Sequence, residues 1–211
     1  MAGFSGLTVV ECVKAFDIVN PAIQQAMKSG IVNRQAGFLV VLDPATPWEP
    51  KYKKADERFE EEIVLFNNFF GHPDHWEYPY DKIALSKAFI SWKTGRSSRE
   101  VQLEAPYLYE AGMTKYGGSA VGPGGLVVAF SGVEEHFDQM FSEMMRAAIK
   151  GVCLHEMHKP KGVMNSADNF LTSCLTEAPG VAAKIIPGRK DSKVRCLSYQ
   201  AHNFASCIKY Q

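Results

Sequence analysis

Residues 116–141, YGGSAVGPGGLVVAFSGVEEHFDQMF, constrain the fold more than any other stretch of the chain. Six glycines fall in the first seventeen positions, and an amphipathic pattern follows at once. A glycine-rich loop that cradles phosphate sits between a strand and a helix, where the helix's first amides can hold the anion. Here only Ser131 and Gly132 separate the apolar run 126–130 from the helical pattern, and neither GK[ST] nor GxGxxG lies between them. Gly122, Pro123, Gly124 and Gly125 instead precede the strand, where a tight hairpin needs residues with positive φ. The segment therefore reads as hairpin, strand, cap and helix. Ser131 and Glu134 have the spacing of a capping box. Val133, Phe137, Met140, Phe141, Met144, Ala148 and Ile149 form one helical stripe, with Glu134, Glu135 and Asp138 at the positive end of the dipole.

The other elements follow from local pattern. Thr8 and Glu11 form a capping box for a helix carrying Val9, Val13, Phe16, Ile23 and Met27 on one face. Pro21 is expected to kink or split that helix, and Ser29-Gly30 to stop it. GFLVVL at 37–42 has the continuous apolar character of a central strand buried on both faces. Residues 43–61 read as a proline- and charge-rich loop entering a helix, and 62–70 as its continuation, whose aromatics need a partner surface. Asp81 is expected to cap the helix KIALSKAFISWK, which ends at Gly95, and Ser97 and Glu100 offer a third capping box. Residues 101–109 are less regular, with Pro106 arguing against a central strand. From Gly151 onward breakers alternate with short apolar patches, which reads as an extension with a final strand near 194–199.

Lys plus Arg equals Asp plus Glu at 23 each, so the chain lacks the basic excess of a general nucleic-acid binder. No apolar run approaches the roughly 18 residues needed to span a bilayer, and no partnership with a membrane is expected. The N-terminus lacks the pattern of a secretory signal. The five cysteines, Cys12, Cys153, Cys174, Cys196 and Cys207, are odd in number and contain no CxxC, which reads as reduced thiols in a cytoplasmic protein.

Lys87-Ala88, Thr94-Gly95-Arg96-Ser97, Gly117-Gly118, the run 125–132 and Asp138 occur in an order that resembles the haem-degrading-domain family (GlcG/HbpS-like) over roughly residues 7–150. The resemblance implies an α/β (α+β) domain over 1–150: a profilin-like antiparallel sheet of about five strands flanked by helices. It also implies homo-oligomers, and haem as the ligand of some members. Two departures stand out. Pro44, Pro47 and Pro50 occupy the second strand of the expected N-terminal hairpin, and about 56–79 reads as an insertion. The extension 151–211 is expected to pack on the domain or on a protein partner.

Haem needs an iron ligand or an open iron face, an apolar slot and donors for its propionates. His72 and His75, with Trp76, Tyr78 and Tyr80 as slot walls, are candidate ligands, as is His136 early on the last amphipathic helix. Arg96 and Arg99 can hold a carboxylate through paired N–H groups. Lys115 and Tyr116 adjoin Gly117 and Gly118, where a ligand can approach backbone amides. Three readings remain open. The first is a small-molecule protein binding haem or a related carboxylate-bearing ligand between the middle helix and the glycine hairpin. The second is a non-catalytic scaffold or interaction subunit that uses the insertion and tail. The third, a lyase or isomerase on this scaffold, requires an acid and a base facing one pocket.

Overall fold

The computed structural model describes residues 7–52 and 54–157. Its elements are α1 (Val9–Lys28), β1 (Gly37–Leu42), α2 (Glu57–Ile63), β2 (Val64–Phe70), α3 (Tyr80–Thr94), α4 (Ser98–Glu104), β3 (Ser119–Val121), β4 (Val127–Ser131) and α5 (Glu135–Met157). The strands form one open antiparallel sheet in the order β2-β1-β4-β3. The architecture is thus mixed α/β, with helices on both faces of the sheet.

Strand alternation sends side chains to two cores. Leu39 and Val41 of β1, with Val128 and Phe130 of β4, pack against Phe16 and Ile23 of α1 and Phe141 and Met145 of α5. Phe38, Val40 and Leu42, with Val127 and Ala129, pack against Phe59 of α2 and Ala84, Ala88 and Phe89 of α3. β1 is buried at every position because it carries both faces, as its unbroken apolar run implies.

Among the described residues the sheet has four strands, where about five are expected. The proline-rich segment after β1 forms no strand, since Pro44, Pro47 and Pro50 cannot donate to a ladder. The antiparallel partner of β1 is instead β2, reached through α2. Residues 64–70 are therefore strand rather than a continued helix: Val64, three phenylalanines and the Asn67-Asn68 pair favour extended backbone against β1 over a helical stripe. Leu65 is the extra residue of a bulge opposite Val41 and Leu42. Phe66 and Phe70 find their partner surface on Phe16, at ring-centre distances of 5.6 and 5.9 Å.

Thr8 and Ser97 both close capping boxes. Gly95 ends α3 in the left-handed conformation (φ 68°). Pro21 neither splits nor ends α1, which runs unbroken to Lys28. Asp81 lies in the first turn of α3, whose N-cap is Pro79. The box expected at Ser131 does not form: Glu134 accepts from the Asn33 amide, and Asp138 takes the Val133 amide. The glycine segment is a hairpin, with β3 and β4 joined through Gly122–Leu126 and the Gly122 amide donating to Leu126 O at 2.7 Å. No described helix is long and apolar enough to cross a membrane. The strand expected near 194–199 lies outside the described residues, as does the tail from residue 158.

Candidate functional site

Two charged side chains are buried against the end of β4. Lys87, on the buried stripe of α3, is 1% exposed, and Asp138, in the first turns of α5, is 3% exposed. The Lys87 Nζ donates to Asp138 Oδ2 at 2.6 Å and to the Phe130 carbonyl at 3.0 Å. The other carboxylate oxygen, Oδ1, accepts from the Val133 amide at 3.1 Å. One strand end, one helix start and one mid-helix lysine are tied together by this set.

Burial disfavours both charges, and each partner opposes that effect for the other. Burial lowers the Lys87 pKa from its ordinary value, against the pull of Asp138. Burial likewise pushes the Asp138 carboxyl up to about 6, although Lys87 and the Val133 amide favour the carboxylate. Burial thus works against the charge of both members of the pair, and each offsets part of that cost for the other.

Gly118 makes this packing possible. At φ +127°, it stands where a Cβ would lie 2.6 Å from the Asp138 Cβ and 2.8 Å from the Lys87 Nζ. Its carbonyl accepts from the Phe130 amide at 3.0 Å and from the Ser142 hydroxyl at 2.8 Å. The next residue, Ser119, joins the hydroxyls of Ser91 and Ser98 at 2.6 and 2.8 Å and accepts from the Ser98 amide. These bonds anchor the glycine segment to α3, α4 and α5.

The pair faces a pocket of about 340 Å³ lined by Arg34, Tyr78, Tyr80, Tyr116, Glu135 and residues 131–133, with Ile83 beside Lys87. Arg34 donates through Nε to Glu77 at 3.1 Å, a bond that leads in raising its pKa, and lies over the Tyr78 ring at 5.5 Å. Its two terminal nitrogens have no acceptor among the described residues. The ammonium of Lys87 has three N–H groups and only two acceptors there. Both cations on the pocket wall therefore retain donors for a ligand.

Of the residues read from the sequence as ligand-binding, Tyr116 lines this pocket and is 62% exposed at its mouth. Gly117 and Gly118 lie behind the wall, Gly117 packed on Arg99 and Glu135. Arg99 ion-pairs with Glu135, which also accepts from Gln102 at 3.0 Å, so its charge is answered within the rim. Arg96 is exposed and faces Glu104 at 3.8 Å, and Lys115 is exposed; neither lines the pocket. His72 and His75 sit together on an exposed turn, ring centres 5.4 Å apart, and His72 accepts there from the Asp74 amide. His136 is exposed on α5 beside Phe137. None of the three histidines lines the pocket. Of the expected slot walls, Tyr78 and Tyr80 line it, and Trp76 donates instead to the Phe70 carbonyl at 3.1 Å. Among the described residues, no three His, Cys, Asp or Glu side chains are placed to hold a metal ion.

Arg34, Lys87, Glu135 and Asp138 are the charged lining residues that motif reading passed over as site residues. A signal was present for Lys87: it shares a helical stripe with Tyr80, Ala84, Ala88 and Ser91, where a lysine is out of place without a partner. Comparison of the chain with family models, curated proteins and solved structures finds no match.

Proposed function

We propose that this chain is a small-ligand-binding protein on a profilin-like scaffold of the haem-degrading-domain type, and that its ligand carries a carboxylate. The observation that carries the reading is the pairing of two cations with unused donors on one pocket. The terminal nitrogens of Arg34 can take a carboxylate bidentately, and Lys87 supplies a further N–H from a buried position. The volume of about 340 Å³ lies at the lower end of the range for small-molecule sites, and aromatic walls around few polar groups are typical of them. Tyr78, Tyr80 and Tyr116 provide those walls.

For haem iron the lining offers no histidine, cysteine or methionine, only the phenols of Tyr78, Tyr80 and Tyr116, and the candidate histidines lie elsewhere. A smaller carboxylic acid suits the donors better. The test is calorimetric titration with haem and with a panel of small mono- and dicarboxylates, in wild type and Arg34→Ala. Saturable binding of a carboxylate, weakened about tenfold or more in the variant, supports the reading. Haem binding unaffected by Arg34→Ala, with no carboxylate bound, overturns it.

A second reading, an interaction subunit that self-associates, rests on β2. This edge strand has no charge and no proline, pairs only with β1 among the described strands, and exposes 56% of Phe69. Light scattering would show a dimer for wild type and a monomer for Asn68→Pro if β2 pairs with a second copy. An unchanged mass removes this reading.

A further inference from the structure

Lys87 and Asp138 are more than a charge anchor. The lyase or isomerase reading of this scaffold requires an acid and a base on one pocket, and this pair meets that condition at 2.6 Å. We propose that Lys87 is a Schiff-base lysine, its amine condensing with the carbonyl carbon of a small 2-oxo acid whose carboxylate is held by Arg34. This rests on the carboxylate-binding reading of the same pocket and adds a covalent step to it.

The geometry supplies each part. A nucleophilic lysine must be desolvated and poised beside a group that takes its proton. Lys87 is buried, lines the cavity, and has Asp138 within hydrogen-bond distance. Burial shifts both groups toward the neutral amine and the protonated acid, the forms the reaction consumes. The other titratable groups on the pocket are Arg34, Glu135, Tyr78, Tyr80 and Tyr116. Glu135 is occupied by Arg99 and Gln102, which leaves Asp138 as the proton carrier. The Phe130 carbonyl holds the Lys87 amine and the Val133 amide holds the Asp138 carboxyl.

The step balances without an oxidant or reductant. The Nζ lone pair attacks the carbonyl carbon, forming a C–N bond while the carbonyl π pair moves to oxygen, which takes the proton of Asp138. The nitrogen then returns a proton to the Asp138 carboxylate. That proton passes to the hydroxyl, which leaves as water as the C=N bond forms. The products are one protonated imine and one water, with the Asp138 carboxylate left beside the iminium nitrogen. An imine so placed is an electron sink for bond cleavage or proton transfer beside the former carbonyl.

The test is reductive trapping. Full-length protein is incubated with pyruvate and sodium cyanoborohydride, and the modified lysine is located by peptide mass mapping. Pyruvate binding is measured in parallel by calorimetry without reductant. The expected result is a carboxyethyl group on Lys87 in preference to every other lysine. It is absent in Lys87→Arg, and its formation is about 100-fold slower in Asp138→Asn, the scale of lost proton transfer. If Lys87→Arg does not fold, the mapping in wild type and the slower labelling expected of Arg34→Ala still decide the matter. Pyruvate that binds while Lys87 is modified no faster than exposed lysines overturns the imine and leaves the binding reading standing. Neither binding of any carboxylate nor labelling of Lys87 overturns both.

Discussion

Lys87 and Asp138 show how one pair of residues can be structural and chemical at once. Removing one partner leaves the other charge buried without an answer, which costs about 3–5 kcal/mol. Lys87→Met should therefore lose about that much stability in urea denaturation at neutral pH. The loss should shrink as the pH falls, because the stranded carboxylate then takes up a proton. The wild-type carboxyl can be followed directly. Carbon-13 NMR should place its midpoint at about 6 rather than 3.8, and Lys87→Met should move it higher. Since the folded value is the raised one, this group's contribution to stability is complete below pH 3.8 and is lost as the pH rises through about 6. At this scale the glycine pair signalled a close approach, which Gly118 makes to Asp138 and Lys87, and of the candidate ligand-binding residues Tyr116 lines the pocket. Arg34 stood in an unremarkable loop, and its neighbours Tyr78 and Tyr116 come from distant segments that only folding brings together.

Elements were legible where a side chain bonds its own backbone. The capping boxes at Thr8 and Ser97, the stop at Gly95 and the hairpin at Gly122–Leu126 depend on residues three or four apart, and each is present. The box expected at Ser131 failed because distant partners outcompeted the local ones: the Asn33 amide takes Glu134, and Lys87 draws in Asp138, which takes the Val133 amide. β2 failed as a helix for a similar reason, since its conformation is set by the free edge of β1. The cap at Ser97 offers a test at this scale. Its hydroxyl accepts from the Glu100 amide at 3.1 Å, and its own amide donates to Glu100 at 2.7 Å. Ser97→Ala should cost about 1 kcal/mol, read as a lower denaturation midpoint with an unchanged slope. A cost near zero would mean that α4 is held by Ser98 and Val101 alone.

Across the whole molecule, one sheet separates two cores, and their independence is measurable. Ile23 packs on the α1–α5 side and Ile63 on the α2–α3 side. Ile23→Val and Ile63→Val should each cost about 1 kcal/mol. Their double mutant should equal the sum within about 0.5 kcal/mol, because the two residues belong to separate cores. A larger coupling would mean that the sheet transmits packing changes between its faces. Period and composition marked the helices α1, α3 and α5 and the strands β1 and β4, while the helix-flanked antiparallel sheet was an expectation of the family resemblance. The strand count was not legible, because it depended on which distant segment would pair with β1 once three prolines had removed the nearest one.

The central claim is that the pocket beside Lys87 and Asp138 is the ligand site. Amide shift mapping by NMR during titration with the carboxylate that binds tests it most directly. The largest shifts are expected at Gly117, Gly118, Gly132 and Val133, with matching changes in the Arg34 side-chain signals. Shifts confined to Phe16, Phe69 and Gly71, which line a separate cavity of about 240 Å³ between α1 and β2, would contradict it. So would shifts confined to His72 and His75.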